Sequence, residues 1–131
     1  MRFVLDTNTL IYFFKGLGNV PTRMLSTPPR DIAIPAIVIF ELEFGLAKSN
    51  SPRKRRLQLQ ELAATVDIVP FGIKEARAAA SIRSDLESAG RPIGPYDLLI
   101  AASAFSNNAT LVTHNQKEFG RIHGLKIEDW C

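Results

Sequence analysis

The sequence predicts an α/β fold: a central, mostly parallel sheet of four to five short strands with helices on both faces. Three observations predict it. Short apolar runs alternate with longer helix-like segments along the whole chain, the pattern of strand–helix–strand units. The first apolar run, Arg2 to Leu5, stops abruptly at Asp6, as a buried strand entering a turn does. One later segment is apolar almost all round, as a buried helix is. A chain of 131 residues has the size of one domain, so residues 1–131 read as a single unit.

The elements follow in order. After the strand at Arg2–Leu5, Thr7 or Asn8 is placed to cap a helix over Thr9–Lys15, which Gly16 and Gly18 stop. A short helix is predicted over Val20–Leu25 with Pro21 in its first turn, before the break at Pro28-Pro29. Asp31–Ile34 is the second strand. Pro35 opens the long apolar run Ala36–Ala47, whose length favours a helix. Pro52 starts a helix running to about Ala64, and Asp67–Val69 is the third strand, stopped by Pro70. Ile73–Ala89 is rich in Ala, Arg and Glu and reads as a long helix ended by Gly90. The loop Gly90–Pro95 and then Tyr96-Asp97 lead into the apolar helix Leu98–Phe105. Thr110–Thr113 and Lys126–Glu128 complete the strands.

Composition excludes several classes. A hydrophobic fraction of 46% with 22% charged residues is ordinary for a globular domain and argues against disorder, collagen and coiled coil. The single cysteine, Cys131, rules out an internal disulfide and a Cys-rich metal site. No apolar stretch reads as a signal peptide or a membrane span, so a cytoplasmic protein is expected. The net charge of +3 permits a nucleic-acid partner without demanding one.

Three carboxylates stand out. Parallel α/β sheets gather ligands beyond the carboxyl ends of their strands, which is where Asp6 lies; helix capping explains it equally well. Glu41 sits inside the apolar run and shares a helical face with Ile37, Val38, Phe44 and Gly45. An ionised carboxylate there calls for a partner, often a cation, unless the run is partly exposed. Glu43 points about 200° away and faces solvent. Asp97 heads the most apolar helix, where the helix dipole also favours an acid. Clustered at one end of the sheet, the three would repel one another unless a cation were present. Hard oxygen ligands select Mg²⁺ or Mn²⁺, and such a site suits phosphodiester hydrolysis.

Four segments in order carry a resemblance. Val4-Leu5-Asp6-Thr7-Asn8, Glu41-Leu42-Glu43-Phe44-Gly45, Gly94-Pro95-Tyr96-Asp97-Leu98-Leu99-Ile100-Ala101-Ala102 and Leu111-Val112-Thr113-His114-Asn115 with Glu118-Phe119 resemble the PIN domain. In particular they resemble the VapC toxins of bacterial toxin–antitoxin pairs, and the likeness runs on through Gly124–Trp130. The resemblance implies a three-layer α/β/α sandwich and a Mg²⁺- or Mn²⁺-dependent endoribonuclease. It implies a VapB-type antitoxin that docks a C-terminal segment and silences the enzyme, a homodimer, and a larger complex on operator DNA. Asp6, Glu41 and Asp97 take the catalytic and metal-binding positions. The family often has a fourth acid where Asn115 stands here, so Glu118 is a candidate substitute, and Asn8, Thr113 and Asn115 are candidate supporting residues. The implied substrate is tRNA, with the anticodon stem-loop of initiator tRNA favoured.

Other readings remain open at this point. An aspartyl phosphatase would want a second Asp where Asn8 stands, and a Rossmann domain would want a Gly-rich first turn. A catalytically inactive PIN-like module binding RNA or protein is the alternative that Asn115 supports. The basic cluster Lys48, Arg53, Lys54, Arg55 and Arg56 reads as a solvated helix start or a phosphate contact. Arg91, tethered near Asp97 by the loop, is the candidate substrate-binding residue. His114 is a possible site neighbour and His123 fits a surface turn. Ile11, Phe13, Phe14 and Leu46 serve either the core or a dimer interface.

Overall fold

A computed structural model describes residues 1–131. In chain order the elements are β1 (Phe3–Leu5), α1 (Thr7–Lys15), α2 (Val20–Ser26), a 3-10 turn (Pro29–Asp31), β2 (Ile32–Pro35), α3 (Ala36–Ala47) and α4 (Arg53–Thr65). There follow β3 (Asp67–Val69), α5 (Ile73–Ser88), α6 (Pro95–Ser106), β4 (Thr110–Val112), α7 (Gln116–Phe119) and β5 (Ile127–Glu128). The five strands form one sheet in the order β3-β2-β1-β4-β5, and every pairing is parallel. Val4 at the centre lies opposite Ala33 on one side and Leu111 on the other.

Successive strand residues point to opposite faces. Val4 and Leu5, Ala33 and Ile34, and Leu111 and Val112 are all fully buried, so helices cover both faces of the sheet and the structure is an α/β/α sandwich. On α3 the inward row is Val38, Leu42 and Leu46, at four-residue steps. The α6 helix is buried along Leu98 and Ile100–Ala104, as its apolar sequence predicts, and packs against α5, β1 and β4.

Three local differences from the sequence reading matter for the site. The cap of α1 is Asp6 itself, not Thr7 or Asn8: its Oδ1 accepts the Thr9 N–H at 2.9 Å. The α6 helix starts at Pro95 rather than Leu98, because proline's fixed φ suits a first helical position; Asp97 is therefore inside the first turn. The short polar helix α7 carries too little periodicity to announce itself, yet it brings Glu118 under the Gly90–Pro95 loop.

The end of the chain is fastened to the sheet. Trp130 is buried edge-on to Phe3 at 5.1 Å. Its indole N–H donates to Glu128 Oε1 at 3.1 Å, which also pairs with Arg23 at 2.5 Å. These contacts hold Asp129 beside the carboxyl ends of β1 and β4.

Candidate active site

All of the strand ends that matter open on one side. Asp6 directly follows β1, Thr113 directly follows β4, and Asp97 and Glu41 project from α6 and α3. Asp6 is 5% exposed. Burial raises its pKa above the ordinary value, the Thr113 and Thr9 hydroxyls and the Thr9 N–H pull it back, and the charge of Asp129 raises it further. Capping and site membership are thus not alternatives for Asp6, since Oδ1 holds the helix while the carboxylate feels neighbouring acids.

Asp97 is pushed up to about 6, first by burial and then by the negative charges of Glu118, Asp6 and Glu41. No hydrogen bond offsets those effects. Asp97 thus lies within electrostatic reach of Glu118, Asp6 and Glu41. Glu41 is half-buried and fixed at one oxygen, where Thr7 donates its hydroxyl to Oε1 at 2.7 Å. Its helical face is more open than the apolar run suggests, because Phe40 and Phe44 are exposed. Glu43 is exposed as expected and reaches Arg56 at 3.4 Å.

Glu118 is gripped at both oxygens: Gly94 N–H donates to Oε1 at 3.0 Å and the Asn115 side-chain amide to Oε2 at 3.0 Å. Those two bonds, with help from Arg121, keep its pKa below the usual carboxylate value. Asn115 in turn donates its backbone N–H to the fully buried Thr113 hydroxyl at 3.0 Å. Gly94 lies between the two acids, with room for a side-chain methyl at ordinary contact distance. A Cβ there would stand 3.8 Å from Asp97 Oδ2 and 4.0 Å from Glu118 Oε1, inside the space between the two acids.

The chain also matches known proteins. A PIN domain family model matches residues 3–125. The chain belongs to the PIN domain family. Within it the relatives are VapC ribonucleases. The tRNA(fMet)-specific endonuclease VapC of Salmonella typhimurium is 33% identical over all of this chain and 99% of its own. Ribonuclease VapC2 of Rickettsia felis is 36% identical over 99% of this chain and 98% of its own. Among solved structures, the DNA-bound VapBC of Salmonella typhimurium superposes with a TM-score of 0.93 at 34% identity, covering 100% of this chain and 99% of that one. VapBC2 of Rickettsia felis bound to a promoter DNA fragment gives 0.92 at 35% identity, with both chains covered completely.

A divalent cation fits this PIN site in its donor chemistry. The space is lined by carboxylates and hydroxyls, all hard oxygen donors, and the raised Asp97 reports uncompensated negative charge. No three acid, His or Cys side chains converge closely enough to enclose a bare ion. A Mg²⁺ here would be held by one or two carboxylates directly and otherwise through its waters.

Not every residue singled out in the sequence reaches the site. Asn8 is exposed on α1, on a different side of the helix from its neighbour Thr9, which is buried against β4 through a 3.1 Å bond to the Val112 carbonyl. Arg91 is exposed and lines a cleft on the far side of the Asp97 loop. His123 is also exposed there, and the Arg53–Arg56 run forms the start of α4. His114 does neighbour the site, through a 2.9 Å contact with Asp129. Two residues went unnoticed. Thr7 positions Glu41, and its place directly after Asp6 was the available signal. Asp129 acts on Asp6 from the opposite end of the chain, and no local pattern marks it.

Proposed function

We propose that this VapC-family PIN domain is a Mg²⁺-dependent endoribonuclease, the toxin of a toxin–antitoxin pair, with tRNA as its substrate. The observation that carries the reading is Asp97, held at about 6 by burial and by Glu118, Asp6 and Glu41. A fold does not collect mutually repelling carboxylates for stability; such a cluster is poised for a cation. Asp6 and Asp97 would hold the ion directly or through water, with Glu41 binding it or orienting the attacking water, and the ion would supply Lewis acidity toward water and the phosphate. Mn²⁺ has the same ligand preference.

The chain's own groups do the rest. Glu41, immobilised by Thr7, orients the attacking water through its second oxygen. Asp6 is held in place by the Thr9 N–H. Glu118 and Asn115 lock the entrance of α6 so that Asp97 faces Asp6. The inactive-module reading drew its support from Asn115, which lacks a negative charge. Here the Asn115 amide instead steadies the Glu118 carboxylate next to Asp97, so a fourth acid is present. This arrangement favours the enzyme.

The names of the Salmonella and Shigella relatives, both tRNA(fMet)-specific endonucleases, support initiator tRNA, cleaved in its anticodon stem-loop. The VapBC complexes among the structural neighbours support a VapB-type antitoxin and joint binding to operator DNA. A homodimer belongs to the same proposal. Of the residues considered for that interface, Leu46 is buried and Ile11, Phe13 and Phe14 pack partly on the core. The open apolar face is instead Phe40, Phe44 and Tyr96, exposed rings in which Phe40 meets each of the other two, and a second copy is the occupant proposed for it. The test of the central reading is cleavage of purified tRNA. It should need Mg²⁺, stop with EDTA, and be lost in Asp6→Asn protein that is still folded. Undiminished cleavage by that variant would refute the proposal.

A further inference from the structure

Behind the loop that carries Asp97 lies a second feature. A cleft of about 450 Å³ opens between α5 and the turn that follows α7. Arg91, Arg121 and His123 line it, over an apolar floor that includes Ile82 and Phe105. None of the three basic side chains belongs to an ion pair. Asp85 is the cleft's one acid, and it too is unpaired. Arg121 donates one Nη1–H to the Pro92 carbonyl at 2.9 Å, while its Nε is buried with no acceptor. It is the molecule's only buried side-chain polar atom left without a partner. Two guanidinium groups and an imidazole thus line a cleft whose one acid is Asp85, and neither arginine is engaged in an ion pair there.

The structure assigns this cleft to a phosphodiester of the substrate RNA, a few nucleotides from the bond that is cut. The inference rests on the ribonuclease reading and extends it to a second contact. Its support is placement. Arg91, in the loop, and Asp97, in the first turn of α6, are six residues apart, so they lie at most ~20 Å from each other. Arg121 also acts electrostatically on Glu118, which faces Asp97. The acid pocket and the basic cleft are thus two sides of the segment Arg91–Gly94. An RNA chain with one phosphate at the acids would cross that segment and bring a neighbouring phosphate to Arg91 and His123. The exposed ring of Phe105 gives the attached base a surface to lie on. A free inorganic anion would satisfy the arginines but leave the apolar floor unused.

Arg91→Gln and His123→Gln test this assignment, because both residues are exposed and the folded state should keep its melting temperature. The probe is fluorescein-labelled bulk tRNA, titrated with Ca²⁺ in an Asp6→Asn background so that it stays uncut. Arg91→Gln should weaken binding about five- to tenfold, and the salt dependence of log K should fall by about 0.7 for one lost single-strand phosphate contact. The double variant should lose more than either single one. Equal binding by parent and variants would overturn the cleft assignment while leaving the ribonuclease reading intact. A parent that neither binds nor cuts RNA would overturn both. Weakened binding of the antitoxin with unchanged RNA binding would reassign the cleft to a protein partner.

Discussion

Glu75 and Asp97 occupy the same position in two packed helices. Each is the third residue of its helix, Glu75 in α5 and Asp97 in α6. The two surroundings push them in opposite directions. Glu75 is 4% exposed, and burial works against its charge. The Gly72 N–H at 2.9 Å, the Asn107 amide at 3.1 Å and Lys74 at 3.8 Å outweigh that penalty, and its pKa lies below the ordinary value. Asp97 has no such partners and three acids in view, and it rises to about 6. The helix dipole favours an acid at both places, so it does not distinguish them. Partners do. An acid satisfied by donors ties two helices together, and an acid facing other acids carries charge that only a cation or a proton would offset.

The largest expected effect separates the two by activity. Asp97→Asn should reduce tRNA cleavage by at least about a hundredfold, the scale seen when one electrostatic contributor to a transition state is removed. In EDTA at pH 7 the same variant should melt higher than the parent, because a repelling charge is gone. Glu75→Gln should cleave at the parental rate at a temperature where it is folded. A variant of Asp97 that keeps its rate, or one of Glu75 that loses it, would break the comparison.

The second effect reverses the order. Glu75→Ala leaves the Gly72 N–H without its acceptor and removes one of the Asn107 amide's acceptors, the Ser103 carbonyl remaining, and should cost about 2 kcal/mol, read as the shift in a urea unfolding midpoint. Glu75→Gln should lose less, because its carbonyl still accepts one bond. A Glu75→Ala cost within the scatter of surface substitutions would mean that the α5–α6 tie is not what holds these helices.

This contrast also shows what a sequence can disclose. The strand ends, the outward Glu43 and the buried course of α6 were legible because period and punctuation are local. Asp6, Glu41 and Asp97 also stood out in the sequence, as acids in apolar company. The grip of Asn115 and Gly94 on Glu118 was not legible, because it depends on how a four-residue helix meets a loop more than 20 residues upstream in the chain. Asp129 was hidden for the same reason. Its influence on Asp6 arises only once β5 has paired with β4 and Trp130 has docked on Phe3. Separation in the chain, rather than any weakness of the interaction, kept these contacts out of the sequence pattern.

The third effect is the pH dependence without metal. A carboxylate whose pKa is raised by folding binds more protons folded than unfolded, so its contribution to stability is present below the unfolded value and lost as pH rises through the folded one. For Asp97 that window runs from 3.8 to about 6, and Asp6 has the same sign. Glu75, Glu118 and Asp129 have the opposite sign, and they lose stabilisation as pH falls below their unfolded values. Metal-free protein should therefore melt higher at pH 5 than at pH 7, by a few degrees after allowance for solvent screening, and fall again below about pH 4. Mg²⁺ should flatten the rise by offsetting the same charges at pH 7, and Asp97→Asn should diminish it. Cleavage should climb with pH through about 6. A melting curve that only falls from pH 7 to pH 5 would contradict the raised Asp97.

The smallest effect on the folded chain concerns the rings beside the acids. Glu75 joins α5 to Asn107 at the far end of α6, whereas Tyr96 stands next to Asp97 and touches Phe40 at 5.5 Å, with Phe44 stacked on Phe40 at 6.4 Å. The Glu75 end is closed by its own hydrogen bonds, and the Asp97 end is bordered by apolar surface that stays exposed, with only Lys48 reaching over Phe44 at 5.2 Å. Three adjacent exposed rings are costly to leave in water and suit a protein surface. Phe40→Ser with Phe44→Ser should change monomer stability by only about 0.5 kcal/mol, as exposed substitutions do. It should nevertheless shift the mass measured by light scattering from two chains to one. A wild-type protein of single-chain mass, or an unchanged dimer in the variant, would show that this face does not pair copies, and the asymmetry between the two ends of α6 would then belong to the acids alone.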